Sequence, residues 1–158
     1  ERLAGFGVTV TGVTRSGAEG TIGPDDWRAR LGEFDWIVLA APATHESRAM
    51  IGEAELRAIK PSAWIVNVGR GELIDQDALI EAANERRIAG AFLDTVTPEP
   101  LPADHPLRTT PNIILSMHLS GRSQTRMFTR ATALFIENLH AFLEGRPLRN
   151  EVDLAAGY

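Results

Sequence analysis

Arg70, Glu99 and His118 are the side chains of this sequence that could together hold a small carboxylate and move a proton. Arg70 stands in Asn67-Val68-Gly69-Arg70-Gly71, directly after the apolar run Ala63–Val66. Glycines let a backbone turn sharply and be approached closely. A guanidinium held between them can take a carboxylate through two parallel hydrogen bonds and keeps its charge at working pH. Glu99 lies in Thr97-Pro98-Glu99-Pro100, where the prolines stiffen its backbone. His118 follows the apolar stretch Asn112–Met117. A carboxylate beside an imidazole stabilises the imidazolium, and a protonated imidazole is the general acid that a carbonyl reduction needs. Each residue alone also has a plainer reading: a salt bridge across strand ends, an exposed acid in a turn, a loop histidine with a satisfied hydrogen bond. Their succession at three consecutive strand ends is what points to one site. His45, His105 and His140 carry no functional claim.

The elements that must position these residues alternate. Val8–Val13 alternates Val with Thr or Gly and reads as a strand. The runs at 35–42, 63–68, 90–96 and 112–117 are apolar with little alternation, the pattern of strands buried on both faces. Between them, 24–34 and 45–60 read as helices, the second stopping at Pro61. A third helix starts at Asp75 as N-cap, with Leu79, Ile80 and Ala83 as its apolar stripe. The segment 97–112 holds five prolines and reads as a structured loop. Residues 123–144 read as a long helix with Met127, Ala131, Leu134, Phe135, Leu139 and Phe142 on one face, ended by Gly145 and Pro147. Alternating strands and helices predict an α/β fold: a doubly wound, mostly parallel, Rossmann-like sheet. In such sheets ligands sit at the carboxyl ends of the strands. The residues there are Thr14-Arg15-Ser16, Pro42 to Thr44, Val68 to Gly71, Asp94 to Glu99, and His118.

The 158 residues fit about one domain, with 44% hydrophobic and 23% charged residues. A net charge of −5 and the lack of a Lys/Arg run argue against a nucleic-acid surface. There is no cysteine, so no disulfide framework or thiolate metal site, and no ligand-spaced cluster for a metal. No stretch approaches the ~20 apolar residues of a membrane span. A cytoplasmic location is the expectation.

Asn67–Asp75 (NVGRGELID), then LDTVTPEP with Glu99, then PNIILSMHLSG with His118, resemble the D-isomer-specific 2-hydroxyacid dehydrogenase family. LAAPATHESRAMI and the tail LHAFLEGRPLRNEVD match as well, so the resemblance runs over nearly the whole chain. It implies that Arg70 binds the substrate carboxylate and carbonyl, that Glu99 orients and charges His118, and that His118 exchanges the proton with the substrate oxygen. It further implies that Asp94 contacts the nicotinamide carboxamide. The chain departs from the family pattern at Thr95-Val96, where Val-Phe is common, and at Ser120, where Ala is common. The implied reaction is hydride transfer between NAD(P)H and a small 2-oxo acid, of the glyoxylate or hydroxypyruvate type, in a homodimer. A 3-phosphoglycerate-type biosynthetic dehydrogenase and a non-enzymatic dinucleotide-sensing corepressor are the alternatives.

The cofactor should be NADP, with NAD as the alternative. The strand Val8–Val13 ends in Thr14-Arg15-Ser16 with no acid to take a ribose hydroxyl, and an arginine with two hydroxyls suits a 2′-phosphate. Pro42, Thr44, Val68 and Asp94 complete the expected cofactor set. The glycine-rich phosphate loop should precede Arg15 by roughly 20 residues, which passes the beginning of the chain. Glu1–Gly7 reads either as the tail of a helix already under way or as a frayed turn. Residues 1–158 are therefore expected to be part of a longer polypeptide. On this reading residues 1–122 form most of a dinucleotide-binding domain, and 123–158 a helix and tail returning toward a substrate lobe.

Overall fold

A computed structural model describes residues 3–122 and 126–155. Among the described residues six strands, all paired in parallel, form two sheets. β1 (Gly12–Val13) pairs with β2 (Thr21–Ile22). β3 (Trp36–Leu39), β4 (Trp64–Asn67), β5 (Gly90–Leu93) and β6 (Ile113–Leu115) lie side by side in sequence order. The helices are α1 (Glu53–Ala58), α2 (Gln76–Asn84) and α3 (Met127–Leu143), with short 3₁₀ turns at Ala4–Phe6, Arg28–Glu33, Gly71–Leu73 and Pro106–Arg108. This is the parallel, Rossmann-like α/β architecture that the strand and helix alternation implies.

Register explains the core. Ile37, Ile65, Ala91 and Ile113 form one row across the four-stranded sheet, and Leu39, Asn67, Leu93 and Leu115 another. Side chains alternate along a strand, so both rows face the same way, into a cluster with Leu56 of α1 and Leu79 and Ala82 of α2. The intervening rows hold Trp36 and Trp64, then Val38, Val66, Phe92 and Ile114. Trp36 and Val38 are each 61% exposed. The expectation that these strands are buried on both faces is corrected here. Apolar composition alone does not bury a face, and among the described residues α1 and α2 cover only one.

Several boundaries shift for identifiable reasons. Only Gly12–Val13 of the expected strand 8–13 is paired, because β2 supplies its sole partner among the described residues, and Val8 and Val10 are exposed. The region 24–34 closes as a 3₁₀ segment over the buried Trp27 and Leu31. The expected helix 45–60 shrinks to α1. Upstream, the Ala49 and Ile51 N–H groups donate to the Glu72 and Leu73 carbonyls, and the Asp75 N–H donates to the Ile51 carbonyl. Backbone used in that way cannot propagate a helix. α1 starts only after Gly52, whose N–H donates to the Glu55 carboxylate. α2 begins where expected, with the Asp75 carboxylate accepting from the Ala78 N–H.

α3 begins at Met127; the start expected at residue 123 lies outside the described residues, as do Glu1 and Arg2. The helix has its apolar stripe, but Phe128, Phe135 and Phe142 stand in solvent and only Ala141 is buried. The tail folds back onto it: the Asn138 side chain exchanges two hydrogen bonds with the Arg149 backbone, and Glu137 pairs with the Arg149 guanidinium at 2.7 Å.

Candidate active site

The strands run parallel, so their carboxyl ends share one edge, and the candidate residues collect along it. At the end of β4, Asn67 is buried and organises the turn that follows. Its amide donates to the Arg70 carbonyl at 2.8 Å and its oxygen accepts the Gly69 N–H at 3.1 Å. A Cβ on Gly69 would come within 2.8 Å of the Ala41 carbonyl oxygen, and one on Gly71 would overlap the Val96 carbonyl. Both glycines are thus demanded by close approach, one to the loop after β3 and the other to the loop after β5. Arg70, between them, is exposed and donates to the Gly69 carbonyl.

The loop after β5 carries Glu99. One carboxylate oxygen accepts the Val96 N–H at 3.1 Å, and the other lies 3.0 Å from His118 Nδ1. The His118 hydrogen bond is the chief reason the Glu99 carboxyl is held below its ordinary range, against the opposing effect of burial, with help from the Val96 N–H and the Arg70 charge. Glu99 and His118 thus come together from the loops after β5 and β6, and Arg70 stands just past the end of β4 on the same edge.

His118 has a φ of 55°, a left-handed conformation that costs a non-glycine residue about 1–2 kcal/mol. Asp94, 3% exposed at the end of β5, braces it. The Asp94 carbonyl accepts the His118 N–H, and its carboxylate accepts the Leu119 and Ser120 N–H groups at 2.9 and 2.8 Å. Burial works to raise the Asp94 pKa. Hydrogen bonds from the Ser120 side chain, the two backbone N–H groups and Ser116 outweigh it and hold the carboxyl well below the usual range. A nicotinamide carboxamide meeting Asp94, as the resemblance implies, would share oxygens already engaged by this loop. The bracing role was not visible in the sequence, and neither was the part of Asn67; a buried Asn or Asp at the end of an apolar strand is the signal that could have found both.

A second region adjoins this edge. A cavity of about 500 Å³ opens between the ends of β1 and β3, lined by apolar groups including Val13, Trp27, Ile37 and Met50 and by Thr14, Arg15, Pro42 and Thr44. Four of the seven expected cofactor residues thus share one cavity. Ser16, next to Arg15 in the chain, does not line it, nor do Val68 and Asp94 at the ends of β4 and β5. The loop after β3 is fixed by Ser47, whose hydroxyl donates to the Pro42 carbonyl at 2.7 Å and accepts the Thr44 N–H at 2.8 Å. Arg15 and Glu46 approach to 3.9 Å across the cavity mouth. The fit to a dinucleotide is partial: Arg15 and the Thr14 and Thr44 hydroxyls beside an apolar slot could meet a phosphorylated adenosine, with Glu46 facing Arg15. Among the described residues no group of three or more His, Cys, Asp or Glu side chains could hold a metal, and no helix is long and apolar enough to cross a membrane.

Comparison with known proteins places this geometry. The sequence profile described as "D-isomer specific 2-hydroxyacid dehydrogenase, NAD binding domain" matches residues 1–120. A glyoxylate reductase of Korarchaeum cryptofilum is 43% identical over 116 residues, covering 73% of this chain and 34% of that protein. The crystal structure of a D-isomer specific 2-hydroxyacid dehydrogenase from Xanthobacter autotrophicus Py2, in complex with NADPH and MES, superposes with a TM-score of 0.88 at 32% identity, over 99% of this chain and 65% of that one. An NADPH-dependent glyoxylate/hydroxypyruvate reductase from Sinorhizobium meliloti, in complex with NADP and sulfate, gives 0.88 at 26% identity, over 99% and 52%. The chain thus spans between about a third and two thirds of the length of these relatives.

Proposed function

The chain belongs to the D-isomer specific 2-hydroxyacid dehydrogenase family, and from that premise we propose that it carries the cofactor-binding and proton-transfer half of an NADP(H)-preferring reductase of small 2-oxo acids. Glyoxylate and hydroxypyruvate are the substrates favoured, and relatives bearing those names support them. The observation that carries the reading is the Glu99–His118 contact at 3.0 Å, on the sheet edge that also bears Arg70.

Arg70 takes the substrate carboxylate as a bidentate partner and so fixes the orientation of the neighbouring carbonyl. His118, protonated and backed by the Glu99 carboxylate, donates a proton to the carbonyl oxygen as negative charge grows there, and accepts it in the reverse direction. A bound nicotinamide would supply or accept the hydride. Thr14, Arg15, Ser16, Pro42 and Thr44 would hold its adenosine end, with Arg15 facing a 2′-phosphate, while Val68 and Asp94 would lie toward the nicotinamide.

Residues 1–122 serve as most of a dinucleotide-binding domain and 123–158 as a helix and tail that return toward a substrate lobe. The exposed apolar residues of β3 and α3, Trp36, Val38, Phe128, Phe135 and Phe142, support assembly with another lobe and into a homodimer. A cytoplasmic location is part of this proposal. The test is NADPH oxidation with glyoxylate or hydroxypyruvate, compared with His118→Ala. Turnover abolished by the substitution supports the reductase. Tight NADPH binding with no turnover of any 2-oxo acid would replace it with a dinucleotide sensor.

A further inference from the structure

We infer that Gln76 is a positioning residue for the Glu99–His118 pair, fastening the loop after β5 to the same chain segment that carries Arg70. The inference rests on the reductase reading, because it gives Gln76 a part in proton transfer. Gln76 is the first residue of α2, six residues beyond Arg70. Its side-chain amide forms a two-way pair with the backbone of Thr97: the oxygen accepts the Thr97 N–H at 2.9 Å, and the amide nitrogen donates to the Thr97 carbonyl. An amide used in this way copies the hydrogen bonding of a neighbouring strand and holds both the N–H and the C=O of Thr97, so it fixes the two peptide units that flank its Cα.

Thr97 is a sensitive place to hold. Its neighbour Val96 donates its N–H to the Glu99 carboxylate, whose other oxygen meets His118. Five residues before Gln76, Gly71 packs so tightly that a Cβ there would overlap the Val96 carbonyl and the Thr97 hydroxyl. The Arg70–Gly71 turn and the Val96–Glu99 loop are therefore stacked directly, and Gln76 clasps them. The rest of the Glu99 loop is exposed, with Thr97, Pro98, Glu99 and Pro100 all in solvent. Gln76 supplies both hydrogen bonds to the Thr97 backbone that come from outside the loop among the described residues. Release of the clasp would let the Glu99 carboxylate drift relative to His118 and to the Arg70 guanidinium. Misplacement of such groups by about an ångström lowers turnover far more than it lowers binding.

The experiment compares parent, Gln76→Ala, Gln76→Glu and His118→Ala in NADPH oxidation with glyoxylate, alongside thermal unfolding, NADPH binding and amide hydrogen exchange. Gln76→Glu keeps the size of the side chain and the acceptor for the Thr97 N–H, but sets a carboxylate against the Thr97 carbonyl. The expected result is a kcat about tenfold lower or more in both Gln76 variants, with NADPH affinity and Tm close to the parent and faster exchange at Val96 and Thr97. A merely structural residue would shift Tm and the folded fraction but leave kcat per folded molecule unchanged. If Gln76→Ala does not fold, Gln76→Glu decides alone. If His118→Ala abolishes turnover while the folded Gln76 variants keep kcat within about twofold of the parent, this inference is overturned and the reductase reading stands. If His118→Ala retains full turnover, the reductase reading fails and takes this inference with it.

Discussion

His118 Nδ1 lies 3.0 Å from Glu99 Oε2, a side-chain contact that joins the loops following β5 and β6 alongside the hydrogen bonds to Asp94. The two residues are 19 positions apart in sequence but are set side by side because parallel neighbours end at the same edge. Each partner is held from behind: His118 by the buried Asp94 carboxylate through the Leu119 and Ser120 N–H groups, Glu99 by the Val96 N–H. Most of the rigidity of the pair therefore comes from backbone hydrogen bonds rather than from packing.

Glu99→Gln should lower turnover by about 10²-fold or more, because the amide cannot stabilise a protonated His118. NADPH affinity should change little, since Glu99 lies outside the cavity that holds Thr14 and Arg15. The pH dependence follows from the depressed Glu99 pKa. A carboxyl lowered on folding contributes stability that is fully present above its unfolded value, near 4.5, and is lost as pH falls through the folded value. The side chains of His118 and Glu99 are 45% and 40% exposed, so this loss should be at most about 1 kcal/mol. Denaturant titrations at pH 7 and pH 3 compared between parent and Glu99→Gln measure it; an equal acid sensitivity in both proteins contradicts the assignment.

Gly71→Ala should destabilise the fold by about 1–3 kcal/mol, because the added methyl meets the Val96 carbonyl and neither backbone can move without disturbing the turn. The same displacement separates Arg70 from the Glu99 loop. Urea unfolding gives the first effect, and turnover of the remaining folded protein the second. A variant as stable as the parent would show that the two loops are not in contact in solution.

The order of the site was legible in the sequence because a parallel sheet converts strand ends into neighbours. Arg70, Glu99 and His118 needed only correct strand placement to be brought to one edge. What the sequence did not reveal was which groups hold them. Gln76 and Asp94 act through contacts to backbone atoms of distant loops, Asn67 through the backbone of the turn that follows it, and no periodicity marks such contacts. The exposure of Trp36 and Val38 was hidden for a related reason: a strand's composition records that a face is apolar, not that something in the described chain covers it. The helix expected before Gly52 failed because the Ala49–Ile51 backbone bonds instead to residues 72–75, a tertiary demand that overrides local propensity.

Arg15→Ala should weaken NADPH binding about ten- to a hundredfold while leaving NADH binding nearly unchanged, the scale of losing a charge-assisted hydrogen bond to phosphate. The side chain lines the cavity beside Glu46, 3.9 Å away, where the proposed reading puts the 2′-phosphate. Calorimetric titration with 2′,5′-ADP and with AMP isolates the effect from the nicotinamide end. Equal losses for both ligands would mean that Arg15 does not read the 2′-phosphate.

Thr95→Val should raise stability by about 1 kcal/mol. Thr95 is 2% exposed, and its hydroxyl has no hydrogen-bond partner among the described residues. Such a hydroxyl loses its water on folding and gains nothing in exchange, a cost of about 1–3 kcal/mol, part of which is offset if it finds a transient acceptor. Valine has nearly the same shape and adds a methyl where the hydroxyl stood, so the packing between Asp94 and Val96 is retained. Because the backbone of the Asp94–Glu99 segment does not change, turnover should stay at the parent level. Chemical denaturation of the two proteins, with kcat measured in parallel, checks both halves. A less stable Thr95→Val protein would show that the hydroxyl is satisfied in solution, by a bound water or by a group outside the described residues.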